Sequence, residues 1–231
     1  MRFPTPLVPG RLVERYQRFF ADVRLDDGRL VTAHCPNSGR LLGCKEPGSP
    51  VYVSHHADPG RRLDWTWEMV RVGRTWVGIN TLWSNRLVVE AIQDGTLGEL
   101  QGYARIRREV RVSPRSRLDL LLEGRKGCCW VEVKNVTFRV GGFAAFPDAV
   151  TERGRKHVRE LIRLARRGQR AALVFVIQRG DCAAFRPAYE IDPEHGRWLR
   201  RAVDAGVEVL PYQARVTPRA ISLTRRLDLV L

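Results

Sequence analysis

Residues 117–136 read RLDLLLEGRKGCCWVEVKNV. Gly124-Arg125-Lys126-Gly127 is a turn signal between two apolar runs, so the stretch reads as a β-hairpin. With Arg125 and Lys126 at its tip, cross-strand partners have numbers that sum to 251. Asp119 then lies opposite Glu132 on one sheet face. Lys134 is two residues further on and points to the same face. Two facing carboxylates repel and destabilise a purely structural pair. A divalent cation between them removes that penalty, and a neighbouring lysine offsets it. Leu118, Leu120, Leu121, Leu122, Val131 and Val133 surround the three polar residues, which places the hairpin inside a sheet.

That arrangement suits phosphodiester hydrolysis. Two hard oxygen ligands hold Mg²⁺ or Mn²⁺ and leave coordination positions for water and a phosphate oxygen. A lysine beside them orients or activates water, a task for which arginine is poor because it does not deprotonate. The chain has 36 arginines and only four lysines, Lys45, Lys126, Lys134 and Lys156, so a lysine at this position calls for a reason. An acid, a turn, then Glu-x-Lys followed by a helix resembles the PD-(D/E)XK nuclease superfamily. Asp119 matches the first acid, Glu132 the second and Lys134 the lysine. The resemblance implies an upstream helical glutamate as a further metal ligand, for which Glu90 in LVVEAI fits. Pro147-Asp148 follows the lysine and is not the proline-aspartate of that motif.

Outward from the hairpin, a basic helix is expected over Glu152–Arg167, capped by Thr151 and stopped by Gly168. Ala171–Ile177 is a continuous apolar run, as expected of a strand covered on both faces. A helix over Pro193–Ala205 and a strand at Val207–Leu210 follow, which gives an α/β arrangement with a parallel section. Asn85–Gln93 reads as a short helix. Before it, Phe20–Leu25, Leu30–His34, Val51–Ser54, Trp65–Val72 and Arg74–Asn80 read as short strands broken by turns, the pattern of a small barrel. The expected organisation is α+β overall. An OB-like β-barrel occupies residues 1–82, and a PD-(D/E)XK nuclease-like α/β domain with a mixed sheet occupies residues 83–231.

Charge points to a polyanionic partner. The chain carries 40 basic and 25 acidic residues, a formal net charge of +15. Residues 105–170 alone hold 18 basic and 7 acidic groups, so the excess surrounds the hairpin and the basic helix. Double-stranded DNA is the leading partner, with single-stranded DNA or RNA as alternatives. Phosphate contacts are assigned to Arg117, Arg153, Lys156 and Arg159, and in the first domain to Arg15, Arg18 and Asn37. His157 is read as a hydrogen-bonded structural histidine. No run of about 18 apolar residues exists, so no membrane partner is expected. Five cysteines without paired CxxC spacing read as reduced thiols of a cytoplasmic protein.

The blocks PLVPGRLVERYQRFFADV, TAHCPNSGRL, VGINTLWSNRLVVEAI, SRLDLLLEG, VEVKNVTF and FPDAVTERGRKHVREL together resemble the sugar fermentation stimulation protein A family. They run in the family's order from the N-terminus to about Glu208. The resemblance implies an N-terminal OB-like domain and a PD-(D/E)XK-like domain. It also implies DNA binding without sequence preference and a regulatory role in sugar (maltose) metabolism.

Overall fold

The computed structural model describes every residue except Pro59, Arg115 and Lys126. Lys126, half of the expected hairpin tip, thus lies outside the described residues. The N-terminal third is built from β1 (Val8–Tyr16), β2 (Phe20–Leu25), β3 (Leu30–His34), β4 (Pro50–His55), β5 (Trp65–Val72) and β6 (Thr75–Gly78). Their order is β3-β2-β1-β4-β5-β6, and a short parallel pairing of β3 with β5 closes the first five into a barrel. Alternation drives the closure: Ala21, Val23 and Leu25 on β2 are buried, whereas Phe20, Asp22 and Arg24 between them are not. Leu12, Val51, Val53, Trp67, Val70 and Val77 fill the rest of the interior. Each such side chain contributes about 1.5–3 kcal/mol by leaving water.

A single helical turn at Thr81–Trp83 leads into α1 (Ser84–Gln93), which starts one residue before the expected Asn85. Then come β7 (Arg105–Ser113), β8 (Ser116–Gly124), β9 (Gly127–Val136), β10 (Arg139–Val140) and β11 (Phe143–Phe146). They are followed by α2 (Glu152–Ala165), β12 (Arg170–Ile177), β13 (Ala184–Pro187), α3 (Pro193–Asp204), β14 (Glu208–Val216), β15 (Ile221–Arg226) and β16 (Asp228–Leu229). The main sheet has the order β15-β14-β12-β9-β8-β7, with β9, β12 and β14 parallel and the outer pairs antiparallel. A smaller sheet, β10-β11-β13-β16, has no counterpart in the sequence expectation.

Strand β12 sits at the centre and shows why the run is continuously apolar. Ala172, Val174 and Val176 pack with Leu87, Val88 and Ala91 of α1. Leu173, Phe175 and Ile177 pack on the opposite face with Val158, Leu161 and Ile162 of α2 and with Leu199 and Ala202 of α3. Thr151 caps α2 as expected, accepting from the Gly154 amide at 3.0 Å. The helix ends at Ala165 instead of running to Arg167.

The barrel is bolted to the sheet by buried polar contacts. The Gly78 backbone amide donates to the Gln178 backbone carbonyl at 2.8 Å, and Gln178 Nε2 donates to the Asn80 carbonyl at 3.1 Å. Glu68, inside the barrel wall, accepts from Ser54, Asn80 and Trp83, the last at the entry to α1. Gly78 is required here because a Cβ would fall inside the fully buried Gln178 amide. Gly78→Ala is expected to cost about 1–3 kcal/mol by overpacking. The thermal midpoint should fall by roughly 2–4 °C for each kcal/mol, as read by scanning calorimetry. An unchanged midpoint would mean that the junction is looser than this packing requires.

Candidate active site

The hairpin has the expected register, with Leu120 opposite Val131 and Gly124 opposite Gly127. The ladder stops at Leu120. One step further, Asp119 Oδ2 accepts the Val133 amide at 2.8 Å, so a side chain replaces the backbone acceptor where β8 and β9 part. Asn85, in the first turn of α1, donates from Nδ2 to Asp119 Oδ1 at 3.0 Å. Both Asp119 oxygens are therefore anchored, and each keeps a further lone pair.

Glu132 is only 2% exposed. Its Oε1 accepts from Lys134 Nζ at 2.5 Å and from His157 Nδ1 of α2. Lys134 Nζ also lies 3.4 Å from His157 Nδ1. Glu132 Oε2 is buried and has no hydrogen-bond partner among the described residues. An unpaired buried carboxylate oxygen is costly to leave, by about 1–3 kcal/mol or more. The two acids respond oppositely to this setting. Burial, and then the Glu132 carboxylate, raise the Asp119 pKa above the usual range, against hydrogen bonds from Val133 and Asn85. Burial also pushes Glu132 upward, but Lys134 and His157 outweigh it and hold that carboxylate below its ordinary value. A cation beside Asp119 and Glu132 Oε2 would satisfy the open oxygen and remove the repulsion that lifts Asp119. The residues present thus offer a divalent metal two carboxylate ligands, with no third His, Cys, Asp or Glu placed to join them among the described residues, so water and phosphate oxygens would complete its shell.

The site opens into a cavity of about 600 Å³. Arg111, Arg117, Lys134, Arg153 and Lys156 bring positive charge to its lining, against Glu109, Asp119 and Glu132. Asp119, Glu132 and Lys134 come together as the sequence expected, and Arg117, Arg153 and Lys156 stand around them. Other expected residues lie elsewhere. Glu90 is taken by the Met1 α-ammonium at 2.7 Å and Arg86 at 3.1 Å, away from this cavity, and Asn85 is the residue of α1 that reaches Asp119. Arg159 lies over the Trp198 ring at 5.6 Å, on the α3 side of α2. The Arg15 guanidinium is occupied by the carbonyls of Arg18, Asn37 and Gly39, each at 2.8 Å. Asn37 is buried, donating to the Ile79 carbonyl and accepting the Gly39 amide, so its side chain builds the loop at the edge of a second cavity. His157 is the residue whose importance the sequence reading understated. Arg153, Lys156 and His157 fall at i, i+3 and i+4, one face of α2, and that spacing was the available signal.

Comparison with known proteins agrees with both halves. The SfsA N-terminal OB domain family matches residues 13–79, and the sugar fermentation stimulation protein RE domain family matches residues 82–220. The sugar fermentation stimulation protein homolog of Geobacter metallireducens is 60% identical over 100% of both chains. Its Geobacter sulfurreducens counterpart is 60% identical over 100% of this chain and 99% of that one. The structure of Pyrococcus furiosus SfsA in complex with Ca²⁺ superposes with a TM-score of 0.92 at 31% identity, covering 100% of this chain and 98% of that one.

If Glu132 Oε2 is a metal ligand, Mn²⁺ should bind the wild type in isothermal calorimetry and bind Glu132→Gln at least tenfold more weakly. Equal binding by the two proteins would remove the site.

Proposed function

This chain belongs to the sugar fermentation stimulation protein family, and we propose that it binds nucleic acid through backbone phosphates and hydrolyses phosphodiester bonds with a divalent cation. The observation that carries this reading is the open, buried Oε2 of Glu132 beside Asp119, at the floor of a cavity rimmed by arginine and lysine. The Ca²⁺ complex of the Pyrococcus furiosus relative supports a cation of this class. Mg²⁺ or Mn²⁺ is the proposed working ion, held by Asp119 and Glu132. Bound there, it supplies Lewis-acid stabilisation of phosphoryl oxygens and acidifies a water molecule.

The remaining work falls to the chain itself. Lys134 Nζ, 2.5 Å from Glu132 Oε1, orients the attacking water and stabilises negative charge that develops on the phosphoryl group. His157 fixes the Glu132 carboxylate from the α2 side through Oε1, which leaves Oε2 without a protein partner among the described residues and able to take a metal. Asn85 and the Val133 amide fix Asp119 in the same way. Arg117, Arg153 and Lys156 seat the phosphates of the strand. Phosphate contacts carry no base information, so binding is indifferent to sequence, with DNA as the first substrate to test. A regulatory role in sugar metabolism would act through this same contact.

A second reading, binding without cleavage, is favoured by the engagement of Lys134 with both Glu132 and His157. One variant separates the two. Lys134→Arg keeps the charge and loses the proton chemistry. It should reduce Mg²⁺- or Mn²⁺-dependent cleavage by about a hundredfold or more and leave affinity for unrelated duplexes nearly unchanged. In both proteins affinity should fall on the order of a thousandfold between about 50 and 200 mM salt if six phosphates are contacted. A wild type that cleaves neither DNA nor RNA leaves the binding reading alone standing, and a salt-insensitive affinity contradicts both.

A further inference from the structure

Lys134 and Val133 line a second cavity as well, of about 480 Å³, which adjoins the first and lies between barrel and sheet domain. One wall is the barrel loop Ser38–Arg40 with Arg18 beside it. The other is formed by Phe138, Phe146 and Val150 of the sheet domain. The loop is held in place on both sides. Arg15 ties the carbonyls of Arg18, Asn37 and Gly39 together. Asp148 accepts the Leu41 amide at 2.9 Å, and its oxygens stand 2.6 and 2.7 Å from where a Cβ on Gly39 would be. Arg18 and Leu41 are held at positive φ by this clamp, so the loop is shaped at the expense of backbone comfort. Its effect is to leave the exposed Arg18 and Arg40 side chains on the cleft.

Three properties define the occupant. The cleft shares Val133 and Lys134 with the Asp119–Glu132–Lys134 cavity, so what fills it lies next to a phosphate at that site. Arg18, Arg40 and Lys134 supply positive charge along it. Of the carboxylates, Asp148 lines it, with one oxygen already bonded to the Leu41 amide. The opposing wall is apolar and partly aromatic, with Val150 66% exposed. Cations beside aromatic surfaces track a backbone while bases rest on the rings. A single strand follows such a cleft with its bases free to meet the rings, which paired and stacked bases of a duplex are not. A cleft of about 480 Å³ is in the range of sites that hold one small ligand, which suits a short run of unpaired nucleotides.

We propose that this interdomain cleft takes the unpaired nucleic-acid strand adjoining the scissile phosphate, and makes the protein selective for single-stranded or frayed substrates. The proposal rests on the reading of the neighbouring cavity as the phosphodiester site. Its test reads binding alone, so it survives or fails separately from cleavage. Fluorescence anisotropy in EDTA compares fluorescent oligo(dT), oligo(U) and a blunt duplex, for wild type, Arg18→Glu/Arg40→Glu and Val150→Glu. Both variants alter exposed side chains, and Mn²⁺ calorimetry checks that the metal site is intact in each. The ratio of single-strand to duplex affinity should fall about tenfold or more in the double variant, and less in Val150→Glu. The salt slope on the single strand should drop by roughly 0.7 for each lost phosphate contact. A reduced ratio with either oligonucleotide upholds the cleft as the strand path and tells whether DNA or RNA fills it. A ratio unchanged with both, in both variants, overturns the proposal.

Discussion

A buried and a half-buried carboxylate, Glu132 and Asp119, held together where a β-ladder comes apart are the constraint on which the rest of the site depends. Ordinary sheet pairing would place Asp119 and Glu132 side by side with nothing to separate their charges. Instead the ladder ends at Leu120, and Asp119 turns its carboxylate to the Val133 amide. Glu132 is held on one oxygen by a lysine and a histidine, which leaves the other oxygen open. Such an arrangement is destabilising by itself, and it persists because the packed sheet and two flanking helices, α1 and α2, hold its side chains. Strained or under-satisfied groups of this kind concentrate at functional sites.

The supporting elements explain the two-part architecture. Helix α1 supplies Asn85 to one acid and α2 supplies His157 to the other, and both helices are anchored on β12 between them. The barrel is joined to the sheet by Gly78, Asn80 and Gln178. Gln178 also donates to Asn135, one residue beyond Lys134, so the junction and the site share a strand end. Arg179 adds a bond to the Thr137 carbonyl, and Cys44 of the barrel reaches the same carbonyl. The junction therefore sets the relative position of the two cavities, which share Val133 and Lys134.

The hairpin was legible in the sequence because a short turn fixes the register on both sides of it, so Asp119, Glu132 and Lys134 followed from numbering alone. The barrel strands, the Thr151 cap and the doubly covered β12 were legible for the same local reasons. Glu90 was not, because its role depends on helix phase. Asn85 and Glu90 are five positions apart, roughly 140° around the helix, and sequence alone does not say which side meets the sheet. Arg15 and Asn37 looked like surface contacts, yet their partners are carbonyls of their own loop region and of Ile79, made available only by the closed barrel. The small sheet escaped notice because β10, β11, β13 and β16 span two to four residues each, too few to show a period. The helix face carrying Arg153, Lys156 and His157 was visible in its spacing, but which of the three touches Glu132 depends on how α2 docks.

The most direct measurement is anomalous scattering from crystals of the wild-type protein soaked in Mn²⁺. A peak coordinated by Glu132 Oε2 and Asp119, with Lys134 and His157 still on Glu132 Oε1, is the predicted result. A map without Mn²⁺ between the two carboxylates, and with Oε2 satisfied by a protein group or an ordered water, would contradict the assignment of this pair as a metal centre.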